Sequence, residues 1–278
     1  MNRLGNKGKV VIVVQIEKIK QLKSGLYQLD LDNQQQLQVS EDVLVKFRLL
    51  KGKKLTTEEI EQIKQASMYD YGLQQALNYL SYQLRTEKEI IDYLLKKEIS
   101  HADITRICQY LKAQQLLDDL AYAKSYLRTS LRLSDKGPMV IRQKLSTKGV
   151  SDSIIQQVLL DYTPEIQLTI LKKSMSKMLQ RSSQKSHYQQ LQKIKLAFVQ
   201  KGFSYGLIET AMQELAPTFD EEEEFERLVK EADKFKRRIK AKNAYEYQQK
   251  LKQKLYQKGY QLDLIQQYLE QVGIDDYE

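Results

Sequence analysis

A chain of 278 residues, 41 % apolar and 29 % charged, buries several thin cores more readily than one thick one. Its formal net charge of +9 suits an anionic partner such as nucleic acid, an acidic lipid surface or an acidic protein, although solubility alone also favours a basic surface. One cysteine, Cys108, rules out an intramolecular disulfide, and the two histidines, His101 and His187, are too few and too far apart for the usual His/Cys zinc sites.

Residues 1–55 read as a small β-sheet domain. The segments "KVVIVVQIEKI" and "GLYQLDLDNQQQLQVS" are rich in β-branched residues, partly alternating, and broken at Ser24-Gly25 and Asp32-Asn33. That pattern predicts about three antiparallel strands. The run Val10 to Val14 is too short for a signal-peptide core and is interrupted by Gln15 and Glu17, and no apolar run approaches the ~20 residues that span a bilayer. A cytoplasmic protein is expected. Ser40 caps a short helix through Phe47, and Thr56-x-x-Glu59 opens another that leads into a helix over roughly 70–84.

From there one phrase is written four times. Aligned on the residue after a lysine (Glu98, Gly149, Gly202 and Gly259), the occurrences are 51, 53 and 57 residues apart. Eight positions upstream stand Ile90, Ile141, Ile194 and Leu251; four upstream, Leu94, Leu145, Phe198 and Leu255. One downstream stand Ile99, Val150, Phe203 and Tyr260; six downstream is isoleucine every time, Ile104, Ile155, Ile208 and Ile265; nine downstream are Ile107, Val158, Ala211 and Tyr268; thirteen downstream are Leu111, Tyr162, Leu215 and Val272. Steps of three and four place an apolar stripe on each of two helices. Glycine past the first helix takes the left-handed cap at no Cβ cost, and Ser100, Ser151 and Ser204 cap the second. Glu98 breaks the glycine rule, so the first unit ends its helix differently or under strain.

A third helix precedes each pair, at about 119–133, 165–181 and 220–241, with Pro164 and Pro217 marking starts. Thr86-x-x-Glu89 and Ser186-x-x-Gln189 are capping boxes. The resulting organisation is a first three-helix repeat over 56–117, a second over 118–163, a third over 164–217 and a fourth over 218–278. The fold class is mostly α, with tandem three-helix repeats in an elongated, curved array behind the β domain.

Little here suggests catalysis. Cys108 lies on an apolar helix face and reads as core. His101 follows the N-cap Ser100 and reads as solvated surface, and no phosphate-binding glycine loop is present. Asp118 and Asp119 read as a helix cap and a first-turn acid rather than as a metal pair. The acidic run Glu221 to Glu224 likewise reads as the solvated start of a helix whose far end is basic. The 18 tyrosines read chiefly as core rings; Tyr122 and Tyr126 alone invite a stacking role. The strongest functional signal lies between Lys124 and Lys148, where seven Lys or Arg accompany one acid, Asp135. Lys124, Arg128, Arg132 and Lys136 follow at i, i+4, which costs an isolated helix ~0.2–0.5 kcal/mol per like-charge pair. An anionic partner explains that stripe better than solubility does.

Three segments carry a resemblance: "LRTEKEIIDYLLKKEIS" (84–100), "LLDDLAYAKSYLR" (116–128) and "KGPMVIRQKLSTKGV" (136–150). In this order they resemble the successive signatures of the RecX family, bacterial regulators of the recombinase RecA. The matching positions are Arg85, Glu89, Leu117, Asp118, Asp119, Tyr122, Ala123, Gly137, Arg142, Leu145, Lys148 and Gly149. Relative to compact family members the chain is longer, by the N-terminal sheet and by what reads as one C-terminal unit. The resemblance implies a non-enzymatic protein that binds RecA assembled on single-stranded DNA and limits its activity, damping recombination and the SOS response. Partners are then the RecA filament and single-stranded DNA, double-stranded DNA being a further candidate. No membrane partner and no cofactor are expected, and the protein should act as a monomer. The candidate contacts are Arg85, Lys97, Lys124, Arg128, Arg132, Lys136, Arg142, Lys144, Lys148, Arg237 and Arg238. The alternative is a helical-repeat protein that binds DNA directly, without RecA. A helical scaffold for an acidic protein, and least of all an enzyme, complete the readings.

Overall fold

The computed structural model describes residues 13–22, 25–181, 183–236 and 238–272. Part of the first strand segment (9–12) and the candidate Arg237 lie outside them. The described residues form two compact units, one running up to Ala123 and including Thr147–Ser151, the other comprising Lys124–Ser146 and the chain from Asp152 onward.

The first unit opens with an antiparallel sheet of β1 (Val13–Gln21), β2 (Tyr27–Leu31), β3 (Gln36–Val39) and β4 (Lys54–Thr56), in the order β3-β2-β1-β4. Alternation sends Val14, Ile16, Leu29, Leu31, Leu37, Val39 and Leu55 into the core, while the glutamines between them stay on the other face. Four strands replace the expected three. At three residues, β4 is too short to show a period, and its pairing of Val14 with Leu55 is made across forty residues of chain. Helix α1 (Glu41–Lys46) begins as expected, with the Ser40 hydroxyl accepting from the Val43 amide at 3.1 Å.

The two helices expected over 56–84 are one, α2 (Thr57–Tyr82), opened by the Thr56/Glu59 capping box. A single helix of 26 residues serves two cores. Ile60 and Ile63 close the sheet, and Ala76 joins the first helical core with Ile90, Leu94, Ile104 and Leu111. Gly72 lies within the helix where Ile99 and Ile107 pack close: a Cβ there would meet Ile107 Cδ1 at 2.8 Å. The first triplet is completed by α3 (Glu87–Leu95) and α4 (His101–Ala113).

Three more triplets follow: α5 (Asp119–Leu133), α6 (Pro138–Thr147), α7 (Asp152–Leu159); α8 (Pro164–Leu179), α9 (His187–Gln200), α10 (Tyr205–Leu215); and α11 (Glu221–Lys236), α12 (Ala244–Gln257), α13 (Leu262–Val272). All twenty positions of the first five aligned columns are buried, as are Leu111 and Tyr162 of the sixth, while Leu215 is half-buried. The helix expected to reach 241 stops at Lys236, and Ile239 packs instead against the last core, beside Leu228, Leu251 and Leu255. Its basic residues are therefore split between a helix end and the connection to α12.

Candidate polyanion-binding surface

The lysine before each turn raises the first question of chemistry, because it recurs at fixed register. The turns at Gly149, Gly202 and Gly259 are left-handed, with φ of +85, +89 and +83°, and each meets the N-terminus of the second helix of the preceding triplet. Thr86 Oγ1 accepts from the Glu89 amide within its capping box and donates to the Lys148 carbonyl at 2.7 Å. Ser186 Oγ repeats this with the Lys258 carbonyl at 2.5 Å. Between the second and third triplets, where Gly137 precedes α6, the backbone does the same work: the Gly137 amide donates to the Lys201 carbonyl at 2.7 Å and the Met139 amide to Gly202 at 3.2 Å. Each turn thus supplies a carbonyl to a helix start.

The lysine ammonium groups are engaged as well. Lys148 pairs with Glu89 at 2.5 Å, Lys201 with Asp135, and Lys258 with Glu231 at 3.2 Å. Burial pushes the Glu89 carboxyl up, but the bonds from Lys148 and the Thr86 amide outweigh it and hold the group below its ordinary value. Acids complete the joints. Asp119 Oδ1 accepts from the Glu87 amide at 2.9 Å, while burial raises its pKa against that bond. Glu224 accepts from the His187 amide through both oxygens, at 2.9 and 3.0 Å. Glu224 corrects the reading of its acidic run as solvated, since it is only 2 % exposed and caps α9. Asp118 caps α5 as expected, through the Leu120 and Ala121 amides.

The candidate cations therefore separate into groups. Lys148 is held by Glu89, and Arg142 is paired with Asp152. Arg85 and Lys97 flank an aromatic pair. The Arg85 guanidinium lies 3.9 Å from the Tyr79 ring centre, Tyr79 stacks on Tyr93 at 4.2 Å, and Lys97 sits 5.7 Å from Tyr93. Lys136, half-buried, lies over Tyr126 at 6.0 Å. Lys144 and Arg238 are exposed. Lys124, Arg128 and Arg132 share one exposed face of α5, and none of the three has a carboxylate partner among the described residues.

Inspection of the sequence missed a second such series. Lys173 and Lys177 on α8, with Arg181 just past its end, repeat the four-residue step, and the helix carries no acid after Glu165. With Arg132, Lys201 and Asp135 they line a cleft of about 470 Å³. Their spacing was visible; their shared cleft with Arg132 depends on packing and was not. Cys108 is buried, its thiol pushed up to about 11 chiefly by that burial. Among the described residues no group of three His, Cys, Asp or Glu is placed to hold a metal, and no helix is long and apolar enough to cross a membrane.

These features define a tandem helical-repeat protein whose surface carries, at regular helical spacing, cations that have no carboxylate partner among the described residues. Family models for the first, second and third three-helix domains of RecX match residues 73–111, 118–159 and 221–269. The chain is 44 % identical over 263 residues to the regulatory protein RecX of Enterococcus faecalis, covering 95 % of this chain and 99 % of that one. It is 38 % identical over 259 residues to that of Limosilactobacillus reuteri, covering 93 % and 98 %. A crystal structure of a regulatory protein RecX superposes with a TM-score of 0.61 at 36 % identity, over 72 % of this chain and 99 % of that one. The chain belongs to the RecX family. The third-domain match falls on α11–α13, so the triplet that these three matches leave uncovered is the internal one, α8–α10, and not a C-terminal addition.

Proposed function

We propose that this protein is a non-catalytic regulator that binds RecA filaments on single-stranded DNA in the cytoplasm and restrains their activity. Family membership along nearly the whole chain carries the reading. The cations on α5 support it, because Lys124, Arg128 and Arg132 keep a like-charge stripe that no carboxylate among the described residues relieves. A desolvated or nearby polyanion turns that cost into binding energy. Repetition of one rigid unit lets several weak contacts act together.

In a RecA ATPase assay driven by single-stranded DNA, the protein is expected to inhibit at concentrations well below those of the DNA. Strand exchange should slow in parallel. Unchanged ATPase and strand exchange across the titration would refute the proposal.

A further inference from the structure

The cleft between the end of α5 and α8 concentrates charge that the joints do not use. Arg132, Lys173, Lys177 and Arg181 line it, all exposed, and none has a carboxylate partner among the described residues. The one acid in the wall, Asp135, is already paired with Lys201. Both helices end here, and helix C-termini attract cations, but that attraction fades within the last turn. It accounts for Arg132 and Lys177; Lys173 lies further back on α8. From Lys173 through Lys177 to Arg181 the charges advance by four residues, about 6 Å on a helix, and form one short ladder, to which the end of α5 adds Arg132.

The geometry points to a phosphodiester-binding channel, in which a single strand of nucleic acid lies along the α8 ladder and against Arg132 at the end of α5, held by its backbone, independently of any recombinase. Concavity and periodicity favour this partner. A flat bilayer cannot enter a cleft walled by two helices, and Leu131, Ile170 and Met178 at its walls offer apolar surface to bases rather than more charge to a second polyanion. Guanidinium groups at Arg132 and Arg181 suit phosphate oxygens, which they meet through two parallel hydrogen bonds. No base edge is read, so binding is indifferent to sequence. The inference goes beyond the filament reading and does not depend on it.

The test is an anisotropy titration of the full chain with a fluorescein-labelled oligothymidylate across a salt series, with no recombinase present. For single strands the logarithmic salt slope is about 0.7 per phosphate contacted. The combined variant Lys173→Gln, Lys177→Gln, Arg181→Gln should weaken binding about tenfold or more and flatten the slope by about 2. Exchanging the cations in kind (Lys173→Arg, Lys177→Arg, Arg181→Lys) should restore both, which separates lost charge from lost folding. Removing equal charge from the first unit (Lys18→Gln, Lys20→Gln, Lys64→Gln) should leave the slope near that of the parent chain. Equal losses in the two neutralised variants would overturn the channel in favour of overall charge. So would polyglutamate or phosphatidylglycerol vesicles displacing the oligonucleotide as well as unlabelled oligothymidylate does. If the channel variant loses bare-strand binding yet still inhibits the RecA ATPase, the channel stands and filament recognition lies elsewhere. If bare-strand binding is intact in that variant while RecA inhibition is lost, the channel is refuted and the filament reading survives.

Discussion

The turn at Lys97-Glu98 and the three Lys-Gly turns occupy the same place in their triplets but face different neighbours. At Gly149, Gly202 and Gly259 an added Cβ would come within 2.5 to 2.6 Å of Lys88, Val140 or Tyr188. Glycine there meets two demands, a positive φ and a close approach to the preceding triplet. Glu98 has the same left-handed backbone, φ +62°, with an exposed side chain, and it belongs to the first triplet, which has none before it. It meets only the first demand, at the ordinary cost of about 1–2 kcal/mol. The lysines follow suit: Lys148 and Lys201 are clasped by acids of the preceding triplet, whereas Lys97 lies over Tyr93 and has no carboxylate partner among the described residues. The Lys-Gly pair is thus first a joint between repeats, and the cations free for a partner lie elsewhere.

The largest effect should come from closing the tightest joint. Gly202→Ala forces a left-handed alanine against the Val140 amide, a backbone atom that cannot step aside. It should cost about 2–4 kcal/mol, read as a lower midpoint in urea unfolding. An unchanged midpoint would mean the joint is loose. Gly149→Ala should cost about as much, because its nearest contact, Lys88 Cβ at 2.5 Å, is fixed by the backbone of α3.

Next come the hydroxyls that both cap a helix and clasp a turn. Thr86→Ala and Ser186→Ala should each cost about 1–2 kcal/mol in thermal melts, more than Ser100→Ala, whose hydroxyl bonds only locally to Asp103. Equal losses at all three would reduce Thr86 to an ordinary cap. In the opposite direction, Glu98→Gly should stabilise by about 0.5–1 kcal/mol, since strain is removed while the unfolded chain gains freedom. A loss of stability there would show that the Glu98 side chain has a role beyond the turn.

The smallest effect is acid sensitivity. Glu89 and Glu231 are held below their ordinary value of 4.5, with burial opposing and the bonds to lysine prevailing. Their contribution is complete above that value and is lost as pH falls through the lower folded value. Asp119, raised by burial, works the other way, since its proton is bound more tightly in the folded state. Glu89→Gln with Glu231→Gln should therefore flatten the fall of the melting temperature between about pH 5 and 3. An unchanged fall would assign it to other carboxylates.

Local spacing carried most of the fold. The aligned columns marked the buried face of eight helices because burial repeats every three or four residues, and Ser40, Thr86 and Asp118 named their own helices. What escaped was long-range. The pairing of β4 with β1, the fusion of two helices into α2 and the bond from Thr86 to Lys148 all depend on residues tens of positions apart. The same limit applied to the candidate site: Lys148 and Arg142 looked as available as Arg128 in sequence, and only tertiary pairing with Glu89 and Asp152 tells them apart.

That division of the cations is best tested by one paired measurement: inhibition of the RecA ATPase on single-stranded DNA by two variants of known melting temperature. Arg128→Gln with Arg132→Gln should raise the half-inhibiting concentration several-fold while melting with the parent chain. Lys148→Gln should melt lower yet inhibit at the parental concentration. Full inhibition by the double variant, together with its loss in Lys148→Gln, would contradict the account, because the lysines of the joints would then be the ones that meet the partner.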